Sequence, residues 1–120
     1  MKKLLMIIVC ISSNLMATEW VDMFGSREFF IDKDSIKDVA GNRRANLYKN
    51  GNGQDTSFEF FMEFDCINER TRILNTSIYE KKDIKGKILS TNHTPEDWKY
   101  PTSGVYMHVI LQGICGTLNK

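Results

Sequence analysis

The chain has 120 residues, 16 Lys and Arg against 15 Asp and Glu, a formal charge of +1, and 42% hydrophobic residues. That near-neutral balance excludes wholesale nucleic-acid binding, which shows as a strong basic excess. The length fits a single domain around one modest core.

The first element is a leader. Lys2 and Lys3 precede the apolar run Leu4 to Ile11, and a short polar stretch ends at Leu15-Met16-Ala17. This is the order of a bacterial secretory signal. An apolar run of about eight residues falls far short of the ~20 that cross a bilayer as a stable helix. Residues 1–17 are therefore expected to leave by cleavage after Ala17, so that the mature chain carries no transmembrane helix. The alternatives are an uncleaved N-terminal anchor and lipidation at Cys10, against which the bulky Ile8 and Val9 speak. Cleavage removes two lysines and no acid, turning 16 against 15 into 14 against 15, a charge near −1. It also removes Cys10. Cys66 and Cys115 remain, and an even pair in an exported protein reads as a disulfide. Closing a loop of roughly fifty residues would restrict the unfolded chain by about 4 kcal/mol in the entropy model.

Along the expected mature chain, Glu19 to Phe24 and Glu28 to Ile31 read as short strands around Gly25-Ser26, and Asp32-Lys33-Asp34-Ser35 as a turn. Arg44 to Lys49 is a further strand, and Asn50-Gly51-Asn52-Gly53 supplies residues tolerant of positive φ for a hairpin. From Ser57 the residues alternate. Phe58, Phe60, Met62, Phe64 and Cys66 form one row, and Glu59, Phe61, Glu63 and Asp65 the other. Period two with aromatics marks a half-buried strand, its first row in the core and its second in solvent, with Phe61 as a lone outward aromatic. Arg70 to Glu80 suits another strand, Lys81 to Gly86 a polar turn, and Lys87 to Thr91 a last strand. After Ser103 the period changes: Val105, Tyr106, Val109, Ile110, Gly113 and Ile114 fall at helical spacing, with Ser103 as a candidate cap and Gly116 as a stop. Short connections between consecutive strands favour antiparallel pairing. The expectation is an α+β domain over residues 18–120: an antiparallel meander sheet of about six strands, a C-terminal helix packed on one face, and one disulfide.

The residues offer little for catalysis. A cysteine nucleophile needs a histidine within hydrogen-bond reach; His108 lies seven residues before Cys115, ~10 Å along a regular helix, and a disulfide-bonded Cys66 has no thiolate. No C-x-x-C, H-x-x-x-H or H-E-x-x-H spacing occurs, so no metal site is expected, and His93 reads as a polar loop residue. Glu63 and Asp65, two apart on a strand and ~7 Å apart, match the carboxyl spacing of inverting glycosidases, but alternate acids on a solvent face are the ordinary pattern. Gly51 and Gly53 belong to no phosphate-binding motif. No cofactor is expected. Lys81, Lys82, Lys85 and Lys87 could present a basic hairpin to an acidic surface, although charge runs are usually solvated turns.

Several segments in order resemble the surface-adhesin protein E family of bacterial envelope proteins: Glu19-Trp20-Val21, Phe30-Ile31-Asp32-Lys33-Asp34-Ser35-Ile36, and Phe64-Asp65-Cys66 with Arg70 and Arg72 behind it. Gly86-Lys87-Ile88-Leu89, Trp98-Lys99-Tyr100-Pro101-Thr102-Ser103 and Cys115 follow. Similar sequences often carry a tryptophan where this chain has Leu47-Tyr48, and Pro-Gly-Ser where it has Pro101-Thr102-Ser103. The resemblance implies an antiparallel sheet with a C-terminal helix. It makes Cys66, Cys115, Trp20, Asp32, Ser35, Trp98 and Ser103 framework positions. It further implies an exported, non-enzymatic, adhesin-like module that engages host extracellular-matrix or plasma proteins at the bacterial surface. The alternative is a periplasmic accessory protein of an envelope complex. Phe61 and the four lysines are the candidate partner contacts, and an exposed edge strand could support a homodimer.

Overall fold

The computed structural model describes residues 18–116 except Asn52 and Gln54. The expected leader, its cleavage point and Cys10 lie outside the described residues. Seven strands form one antiparallel sheet: β1 Trp20–Asp22, β2 Phe29–Asp32, β3 Lys37–Val39, β4 Asn42–Asn50, β5 Ser57–Asp65, β6 Arg70–Lys81 and β7 Lys85–Asn92. One α-helix among the described residues, α1 Tyr106–Gly116, follows. The strand order is β1-β2-β4-β5-β6-β7, with β3 also paired to β4. The expected meander is present, with one strand more than the sequence reading placed.

The extra strand follows from the turn chemistry of Asp32 to Ser35. The Asp32 carboxylate accepts from the Asp34 amide at 3.2 Å, capping one turn of 3-10 helix at Lys33–Ser35. Ser35 Oγ donates to the Asp32 carbonyl at 2.6 Å and accepts from the Asn46 amide at 2.8 Å. One hydroxyl thus satisfies β4 where the edge chain steps away. On either side of that step, β2 pairs with Leu47–Lys49 and β3 with Asn42–Arg44. β1 is shorter than the expected strand because Asp22 turns the chain, its carboxylate accepting from the amides of Gly25 and Arg27.

The alternation of β5 sorts its residues as expected on the core side. Ala45 lies opposite Met62 and Leu47 opposite Phe60. Ile31, Ala45, Leu47, Met62 and Phe64 meet Ile110, Leu111 and Ile114 of α1 in one buried cluster. Phe64 and Ala45 are fully buried. Burying a phenylalanine side chain stabilises by about 2–3 kcal/mol. Phe58 lies farther along the strand, half-buried and stacked on Phe60. Leu74 is an extra residue in β6: Phe61 faces Asn75 while Met62 faces Ile73, and this bulge offsets the two halves of the β5–β6 ladder.

The helix begins at Tyr106. Thr102 accepts from the Val105 amide at 3.2 Å, and Gly104 has φ +94°, so Ser103 sits in a turn and is not the helix cap. Ile110, Leu111 and Ile114 face the sheet, while Val105, Tyr106 and Val109 stay exposed. Cys66, just past β5, is joined to Cys115 in the last turn of α1, with Cα atoms 5.6 Å apart. An 11-residue helix is marginal in isolation; the buried stripe and the disulfide hold it down.

Candidate interaction surfaces

On the face away from α1, the acidic row of β5 departs from the expected solvent pattern. Glu63 and Asp65 are buried, 4% and 5% exposed. The register supplies the reason: Glu63 lies between Arg44 of β4 and Arg72 of β6, and Asp65 lies opposite Arg70. Glu63 accepts from Asn42 Nδ2 at 3.0 Å and from Arg72 Nε at 2.9 Å, with Arg44 Nε 3.8 Å away. Asp65 accepts from Arg70 Nε and Asn68 Nδ2, both at 2.8 Å. Burial opposes ionisation of Glu63, yet its hydrogen bonds and the two guanidinium charges hold the carboxyl below its ordinary value. The Asn68 side chain does most to hold Asp65 down, against burial and with help from Arg70. Both acids are committed carboxylates, which removes the glycosidase-like pairing.

Trp98 completes this layer. Its ring centroid lies 4.2 Å from Arg70 Cζ and 4.5 Å from Arg72 Cζ. The backbone places it there. Thr71 and Lys99 exchange two hydrogen bonds of 2.9 and 2.8 Å, and the Glu96 amide donates to the Ile73 carbonyl at 2.8 Å. The segment 96–99 therefore continues along the edge of β6 beyond the end of β7.

A second cluster on the same face is aromatic. Phe30 stacks on Tyr48 at 4.5 Å, and Trp20 meets Tyr48 edge-on at 4.9 Å. The Tyr48 hydroxyl donates to Asp83 Oδ1 at 3.1 Å in the β6–β7 turn. Burial and the neighbouring Asp83 carboxylate push the phenol well above its ordinary pKa. A tryptophan at this position would lack that hydroxyl.

Phe61 lies between the two clusters, opposite Asn46 and Asn75, and is half-buried. The four lysines lie elsewhere. Lys81 faces Lys85 across the hairpin, and Lys81, Lys82, Lys85 and Lys87 are all exposed. Among the described residues none of the four has a carboxylate partner within 4 Å. Phe61 faces Asn75, and Lys81 is six residues further along β6, ~20 Å at strand rise. The structure does not bring these two sets of candidates together. β7 is exposed over its whole length, including Ile88 and Leu89. His93 is a polar loop residue, its Nδ1 3.1 Å from Asn75 Oδ1.

Sequence reasoning missed Glu63, Asp65, Arg44, Arg70 and Arg72 as one network; the only available signal was the adjacency of Arg70 and Arg72 to an acidic strand. It also missed a groove of about 310 Å³ between α1 and the β1–β2 edge, lined by residues including Phe24, Ile36, Val109 and Gly113. Among the described residues, no helix is long and apolar enough to cross a membrane.

The family model for surface-adhesin protein E matches residues 20–116. No curated protein matches the chain. Two crystal structures of protein E from Haemophilus influenzae share the fold. One, in crystal form II, has TM-score 0.69 at 12% identity over 94% of this chain and 99% of that one. The other, from a non-typeable strain, has TM-score 0.68 at 12% identity over 93% and 85%.

Proposed function

The chain belongs to the surface-adhesin protein E family, and from that membership we propose that it acts as an exported, non-enzymatic binding module for host matrix or plasma proteins. Residues 1–17 serve as the leader in this reading, and residues 18–120 as the functional domain. The observation that carries it is the family match across almost all of the described chain, supported by a fold shared with protein E. The contacts are proposed on the β6–β7 hairpin, through Lys81, Lys82, Lys85 and Lys87, and on Phe61. A partner covering both spans ~20 Å along the sheet, which a standard protein interface accommodates.

Two measurements test this. On intact cells, external protease should cleave the protein without permeabilisation. The purified disulfide-bonded domain should retain matrix or plasma proteins, and the K81A/K82A/K85A/K87A variant should retain less. Protection until the outer membrane is opened, with recovery of envelope proteins alone, would replace the host-directed reading by a periplasmic accessory role.

A further inference from the structure

At the end of the sheet remote from the disulfide, three turns converge around a polar cleft of about 360 Å³. Its walls include Ser26, Arg27 and Glu28 from the β1–β2 turn, Asn50 from the end of β4, and Lys82 and Asp83 from the β6–β7 turn. Asn50, 8% exposed, ties the turns together. Its Nδ2 donates to the Arg27 carbonyl at 3.1 Å and to Asp83 Oδ1 at 3.0 Å, and its Oδ1 accepts from the Asp83 amide at 2.8 Å. Ser57, fully buried, donates to the Lys81 carbonyl at 2.7 Å and accepts from the Ile84 amide at 2.9 Å.

These bonds hold backbone that would otherwise relax. Arg27, Asp83 and Ile84 have φ of +63°, +61° and +48°, a region that costs free energy for any residue but glycine and most for a β-branched one. Arg27 is pinned on both sides, its amide by Asp22 at 2.9 Å and its carbonyl by Asn50. Yet its guanidinium makes no hydrogen bond or ion pair within 4 Å among the described residues, and neither does the Lys82 ammonium. The backbone is ordered, and the Arg27 charge acts on Asp83 and Tyr48 without closing an ion pair with either.

We propose that this cleft binds a carboxylated sugar. Arg27 and Lys82 supply a charge-assisted clamp for one carboxylate. Ser26 and Glu28 offer a hydroxyl and a carboxylate for the hydroxyl groups of a pyranose ring, and the volume suits one ring. The mixed charge of the wall decides against a phosphate or sulfate dianion, because the Glu28 and Asp83 carboxylates repel a second negative charge. The polar lining decides against an apolar peptide side chain. The site goes beyond the protein-binding surface proposed above and shares only Lys82 with it.

The test is titration of the disulfide-bonded domain, followed by amide NMR shifts, with sialyllactose, a hyaluronan-derived uronate oligosaccharide, neutral lactose and inorganic sulfate. Either acidic sugar should move the signals of Arg27, Asn50 and Asp83, and the one that does so identifies the sugar acid. Arg27→Ala and Lys82→Ala, both at exposed side chains, should each weaken binding about tenfold, as loss of a charge-assisted bond to a carboxylate does, with the remaining spectrum unchanged. Equal response to lactose, sulfate binding as tight as either sugar, shifts confined to other regions, or no response to the acidic sugars would each overturn the proposal. Because the readout is the glycan alone, failure here leaves the protein-binding reading standing, and failure of that reading leaves this site intact.

Discussion

Glu63 Oε1 accepts a hydrogen bond from Arg72 Nε at 2.9 Å and forms an ion pair with the same guanidinium, 2.8 Å from Nη2. The acid side chain is 5% exposed and the arginine 29%, so the pair is screened on one side only. Breaking a fully buried pair costs about 3–5 kcal/mol, and partial exposure of Arg72 lowers that figure. Glu63→Gln preserves shape but removes the charge, and should destabilise by about 1–3 kcal/mol in urea unfolding with the disulfide intact. A loss below about 0.5 kcal/mol would place this pair among ordinary exposed bridges.

Acid should weaken the fold through three carboxylates held below their ordinary values. For Asp83 the Asn50 side chain is the largest cause, acting against burial and joined by the Tyr48 hydroxyl. Glu63 and Asp65 are held down by their own partners. A depressed carboxyl stabilises the fold above its unfolded pKa, near 4, and that contribution disappears as pH falls toward the folded value, since the unfolded chain takes up protons first. Melting temperature should therefore start to fall below about pH 4.5, and the fall should be shallower in Glu63→Gln. A melting temperature that stays constant or rises down to about pH 3 would contradict this.

Trp98→Ala removes the ring against which Arg70 and Arg72 lie and exposes the acids beneath them. The expected loss is about 1–3 kcal/mol, combining cation–π contact and lost cover. Trp98→Phe should recover part of it, because a smaller aromatic face remains. Equal stability of the Ala and Phe variants would show that the ring face is not what matters.

Replacing both half-cystines, Cys66→Ser with Cys115→Ser, should cost about 2–4 kcal/mol. The loss should be local before it is global. Hydrogen exchange is expected to show amides of Ile110 to Ile114 opening well ahead of those in β4 and β5, because the helix then rests on its apolar stripe alone. Uniform acceleration across sheet and helix would argue that α1 and the sheet unfold as one unit regardless of the staple.

The β5 segment shows how far alternation carries. Phe60, Met62 and Phe64 lie under α1 as period two requires, and Cys66 is bonded to Cys115, the pair that was expected on the assumption that Cys10 leaves with a leader. The same alternation sent Glu63 and Asp65 to solvent, since it reports which residues share a face but not what covers that face. Three arginines on two neighbouring strands and a tryptophan from after β7 cover it. β3 escaped notice because Lys37–Val39 is short and polar; its pairing depends on a serine hydroxyl bridging to Asn46. The sequence put the helix cap at Ser103 because a serine before a helical pattern resembles a cap, whereas the turn at Gly104 delays the start of the helix to Tyr106.

By itself, the sequence determined six of the seven strands, the helix, the core row and the covalent staple. Each of these rests on local periodicity or residue count, which a linear chain carries in full. Only the tertiary structure decided that the acidic row is a buried ionic layer, that Phe61 and the lysine hairpin stand apart, and that Asn50 draws three turns around one cleft. Those outcomes depend on strand register and on side chains converging from distant segments, and a hydrogen bond forms only where such groups meet within about 3 Å in the right direction.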